Sequence, residues 1–134
     1  MRLAAVALTG GLVLVGCVEA EMPEAPEGAE IYAENCAMCH GASGRGDGAI
    51  APGLRPGPAD LTVIARNSGG VFPVAEVLSQ IDGYQRDPVA GVDMPEFGAL
   101  LEGELVPVAT GDGVFTPTPR RLAALLAYLE AIQR

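Results

Sequence analysis

Lysine and tryptophan are absent from the 134 residues, and histidine occurs once. Without Lys, all positive charge rests on eight Arg, against 17 Asp and Glu, for a formal net charge of −9. That balance excludes nucleic acid as a natural partner, because phosphate backbones are bound by basic faces. It suits either a basic protein partner reached by electrostatic steering or simple solubility outside the cell. Aromatic residues make up only 4% of the chain. A single domain of this length buries a modest core. With so few large side chains, it would gain from a prosthetic group at its centre. Gly (18) and Pro (11) are abundant, which predicts a few helices joined by turn-rich loops.

The chain opens with Met1-Arg2 and an uncharged, largely apolar run from Leu3 to Gly16. This is signal-peptide patterning, and it is shorter than the roughly 20 residues a membrane span needs. Leu14-Val15-Gly16-Cys17 closes it and resembles the lipobox of bacterial lipoproteins. The resemblance implies cleavage before Cys17, a diacylglycerol on its sulfur, and a lipid anchor at a bacterial membrane facing the periplasm. Ordinary cleavage after Val18-Glu19-Ala20 is the competing reading. Residues 1–16 are therefore read as the signal and 17–27 as the lipidated Cys with a Glu- and Pro-rich tether. The folded domain is read as 28–134, with its first helix starting near Glu27 or Gly28. Loss of Arg2 with the signal leaves 7 − 17 = −10.

Cys36-Ala37-Met38-Cys39-His40 is the most specific string in the chain. A C-x-x-C-H motif reads as covalent haem attachment. Two thiols add across the porphyrin vinyl groups, and the adjacent imidazole lies under the iron. A zinc site needs four ligands, and beyond these residues only Cys17 remains. A thioredoxin-like pair would accompany a βαβ pattern, which is missing. A structural disulfide would leave the single His without a role.

A haem carrier also needs a sixth iron ligand. Met1 leaves with the signal, Met22 lies in the tether, and Met38 is inside the attachment motif. Met94 remains, 94 − 40 = 54 residues beyond His40, enough chain to wrap a haem. Pro95 favours an extended backbone there. His40 and Met94 are thus the expected axial pair, with core packing the other fate open to Met94. Tyr84 and Arg86 are candidates to contact haem propionates, Arg86 by charge-assisted hydrogen bonds.

These strings resemble the class I c-type cytochromes. The resemblance runs through Gly28, Ile31, Tyr32, the attachment motif with Gly41, Pro52-Gly53-Leu54, Met94-Pro95-Glu96-Phe97-Gly98 and Leu125-Leu126-Ala127-Tyr128-Leu129. It implies an all-α fold around one haem c, with first and last helices crossing where Gly28 and Tyr32 meet Tyr128. It also implies that Pro52 offers its carbonyl to the Nδ1–H of His40, with Pro56 and Pro58 as competitors. Middle helices are expected at about 60–67, capped by Asp60, and 73–82, stopped by Gly83. The last helix is expected to start with Thr118 as N-cap and Pro119 at its first position.

The stretch from Gly98 to Thr118 is long for this family. Two β-favouring runs around Asp112-Gly113 predict a small hairpin before the last helix, with Pro107 on an edge strand. A role in partner docking and a purely ornamental one are both open.

The function expected is single-electron transfer between redox proteins, by a membrane-tethered monohaem protein with no small-molecule substrate. The alternatives are an electron-entry subunit of a larger oxidoreductase, or a peroxidase-like or ligand-binding haem protein.

Overall fold

The computed structural model describes residues 21–83, 94–111 and 113–134. Cys17, Tyr84 and Arg86 lie outside the described residues, as does the signal segment.

Helix α1 spans Ala25–Asn35, and the short α2 spans Ala37–His40. Helix α3, Ile64–Asn67, follows the tight turn Leu61–Val63. Helix α4 spans Val74–Asp82 and α5 spans Arg120–Ala131. Strands β1, Leu105–Gly111, and β2, Val114–Pro119, pair antiparallel just before α5. The fold is mainly helical with one hairpin, as the sequence predicts.

Helix α1 begins earlier than expected. Glu24 and Glu27 form a reciprocal capping box, and Pro26 occupies the first turn. Both devices satisfy or remove N–H groups that a helix start leaves unpaired. Residues read as tether are therefore already helical from Ala25.

The centre of the fold is the crossing of α1 and α5. A Cβ at Gly28 would lie 1.9 Å from the Ala124 carbonyl oxygen, so only Gly allows these backbones to meet. The Tyr32 and Tyr128 rings stack obliquely beside this point, centroids 5.0 Å apart. Leu122, Leu125, Leu126 and Leu129 are buried along α5 at helical spacing. The two helices thus form one wall of the core.

The start of α5 differs from the sequence expectation. Thr118 and Pro119 belong to β2, and the helix begins at Arg120. Thr118 pairs with Val106 across the ladder, and its hydroxyl donates to the Thr116 carbonyl. The first helical amide, Arg120 N–H, donates instead to the Glu104 carbonyl at 2.7 Å. Strand pairing has taken the residues that local chemistry marks as a helix cap.

Asp60 caps the 61–67 segment as expected, accepting from the Thr62 amide at 2.9 Å. The last residues clasp the same segment. Gln133 donates to the Leu61 carbonyl and accepts from the Ala65 amide, while Arg134 bonds Thr62 and Asp60.

Candidate haem site

The helical turn from Cys36 to His40 accounts for the motif spacing. The His40 amide donates to the Cys36 carbonyl at 2.9 Å, and the Cys39 amide to the same oxygen at 3.2 Å. Both sulfurs are partly exposed. Burial first, and Cys39 next to it second, push the Cys36 thiol up to about 11.

The glycine-rich segment after His40 folds back onto this turn. Gly46 and Gly48 amides donate to the His40 and Cys39 carbonyls at 2.8 and 3.1 Å. A Cβ at Gly48 would lie 2.2 Å from the Met38 carbonyl oxygen, which explains the residue there. These contacts cover the carbonyls that a helix end leaves unpaired. The Tyr32 hydroxyl reaches across from α1 and donates to the Gly41 carbonyl at 2.7 Å.

His40 Nδ1 lies 3.0 Å from the Ala59 carbonyl oxygen. A carbonyl can only accept, so Nδ1 carries the proton and the Nε2 lone pair is left for a metal. This corrects the expectation for Pro52. The Pro52 carbonyl accepts from the Arg55 guanidinium at 2.8 Å instead. Neither Pro56 nor Pro58 takes its place, because the acceptor is the residue after Pro58. A backbone carbonyl has no side-chain signature, so no residue type marked Ala59 in the sequence.

Cys36, His40 and Met94 all line one cleft. Its cavity volume is about 290 Å³, at the lower edge of the about 300–1,000 Å³ usual for ligand sites. Its walls are apolar: Leu61 and Ile64, then Val77 and Ile81 from α4, then Leu125 and Leu129 from α5. Ser68, Glu76 and Gln80 add polar groups to the lining, with the Gln80 amide 4.0 Å from the Met94 sulfur. Among the described residues, no three His, Cys, Asp or Glu side chains gather to hold a metal ion by themselves.

The donor set therefore fits a flat apolar cofactor that brings its own equatorial ligands. Two thiols stand one helical turn apart, an imidazole keeps Nε2 available, and a thioether lines the same cleft. Residues 25–105 match the cytochrome c family. The chain belongs to the cytochrome c family. No curated protein and no solved structure matches it.

As a cytochrome c, it binds haem c covalently through Cys36 and Cys39, and its chemistry is haem-based electron transfer. Family members are typically electron carriers rather than enzymes, and in bacteria they lie outside the cytoplasm. The family match ends at residue 105, where β1 begins. The hairpin and α5 thus lie beyond the matched segment, although α5 supplies one wall of the cleft.

Proposed function

We propose that this cytochrome c is a one-electron carrier whose iron is held between His40 Nε2 and Met94 Sδ, and which is tethered to a membrane through Cys17. The observation that carries the axial pair is that an imidazole with its Nδ1 committed to Ala59 and a methionine thioether line the same cleft. When bound, the haem supplies a metal that cycles between ferric and ferrous states. The chain's own residues do the rest. Ala59 fixes the imidazole orientation and raises its basicity. The thioether favours the reduced metal and raises the potential. Leucine, isoleucine and valine walls exclude water and keep the site in low dielectric.

With His40 and Met94 both holding the iron, no position on it would be left for substrate or gas, which favours a carrier over a peroxidase-like protein. The acidic chain, at −9 overall, favours basic redox partners. Tyr84 and Arg86 remain candidates for the propionates. Tethering rests on the lipobox-like Leu14-Val15-Gly16-Cys17, and no described helix is long and apolar enough to cross a membrane.

Carbon monoxide tests this reading. The reduced protein is expected not to bind it at neutral pH, whereas Met94→Ala binds it readily. Ready binding by the parent would refute the axial pair. Mass spectrometry of the membrane-extracted protein tests the anchor, which requires acyl mass on an N-terminal Cys17.

A further inference from the structure

We propose that the outer face of the β1–β2 hairpin rests on the phospholipid surface to which Cys17 is anchored; this builds on the tethering reading above.

The hairpin has two unlike faces. Alternation places Val106, Val108 and Thr110 on one side of β1 and Leu105, Pro107 and Ala109 on the other. The register sets Thr118 and Thr116 opposite Val106 and Val108, and Pro117 and Phe115 opposite Pro107 and Ala109. Val106 is buried and Val108 packs on the core. The other side is solvent-facing and wholly apolar, with Leu105 59% and Phe115 64% exposed. From Leu105 to Pro119 the only charged residue in the sequence is Asp112. Exposed apolar surface of this kind marks an interaction site.

The position of the N-terminal segment selects the occupant. Arg120 directly follows β2, and its guanidinium donates to the Glu21 carbonyl and pairs with Glu27 at 3.0 Å. The chain leading to the anchor is thereby pinned at the base of the hairpin. Cys17 precedes Glu21 by 21 − 17 = 4 residues, which span at most about 14 Å. A lipid held at Cys17 therefore brings the bilayer surface beside the hairpin, at high effective concentration. A basic redox partner would be drawn to the acidic surfaces, whereas this face is uncharged and suits a neutral lipid interface.

The seat is shallow. A two-stranded sheet has unpaired backbone groups along both edges, which the hydrocarbon core does not tolerate but the headgroup region does. Helix α4 lies between this hairpin and the haem cleft. Leu78, Ser79 and Asp82 line a groove with β2 residues Thr116, Pro117, Thr118 and Pro119, while Val77, Gln80 and Ile81 line the cleft. A hairpin lying on lipid thus leaves the cleft open to a protein from the aqueous side.

The test uses the haem-loaded, acylated protein in phosphatidylcholine vesicles carrying a lipid with a photoactivatable group on its headgroup. Cross-linked peptides from residues 105–119 are expected, and the double variant Leu105→Ser, Phe115→Ser should lose most of them while staying vesicle-bound. Labelling confined to the segment around Cys17 in acylated, vesicle-bound protein would overturn this inference and leave the tether standing. A hairpin left unlabelled in vesicle-bound protein that is recovered as a dimer or with a bound protein after gentle detergent extraction would overturn it in favour of a second copy or a partner. An unacylated Cys17 would remove the tether and this inference together.

Discussion

Gly28 and Ala124 approach so closely that a Cβ on Gly28 would stand 1.9 Å from the Ala124 carbonyl oxygen and 2.8 Å from the Tyr128 Cβ. The obstacle is helix backbone, which cannot rotate aside. Gly28→Ala is therefore expected to force α1 and α5 apart and to lower stability by about 1–3 kcal/mol or more. Gly53→Ala, where nothing lies within 4 Å of the added carbon, should leave stability nearly unchanged. Guanidinium unfolding of the two haem-loaded variants measures the difference.

Tyr32 is 2% exposed, and its hydroxyl donates to Gly41 at 2.7 Å. Burial above all pushes its phenol well above the ordinary tyrosine range. An alkaline absorbance titration is expected to show Tyr32 ionising only as the protein unfolds. Tyr32→Phe should abolish that late component and cost about 1 kcal/mol, the usual net worth of a hydrogen bond. A Tyr32 that ionises with the exposed phenols would contradict the packing described.

Asp60 sits where the chain's last residues meet the 61–67 segment. The Thr62 hydroxyl first, then the Thr62 amide and Arg134, hold its carboxyl below the usual range against a partial desolvation penalty. A carboxyl depressed in the folded state stabilises it fully above the unfolded value, about 4. The contribution fades as pH falls through the lower folded value. Asp60→Asn is therefore expected to lower stability at pH 7 and to flatten the acid limb of the stability–pH curve. Thermal unfolding between pH 7 and pH 3 reads this directly. An acid limb unchanged in the variant would assign that limb to other carboxylates.

Much of this was legible in the chain itself. C-x-x-C-H states its chemistry through spacing, and the three- and four-residue recurrence of Leu along α5 states its buried face. Asp60 and Gly83 mark a cap and a stop by residue type, and Gly83 does adopt the left-handed conformation at the end of α4. Asp112-Gly113 between β-favouring runs announced the hairpin. What stayed hidden depended on partners distant in sequence. Thr118-Pro119 has the chemistry of a helix start, yet Val106 recruits Thr118 into a strand. The carbonyl that orients His40 belongs to Ala59, because the backbone path after Pro58 decides it. The Gln133 and Arg134 clasp joins segments about seventy residues apart, which no local pattern reports. The start of α1 was hidden differently. The Glu- and Pro-rich composition that reads as tether also contains a capping box.

The proposed carrier function rests on an iron held between His40 and Met94. The most direct measurement is the visible absorption spectrum of the oxidised protein beside that of Met94→Ala. The parent is expected to show the weak long-wavelength charge-transfer band of thioether-ligated ferric haem, and the variant to lose it while keeping its haem through Cys36 and Cys39. A parent without that band, or a variant that retains it, would contradict the assignment.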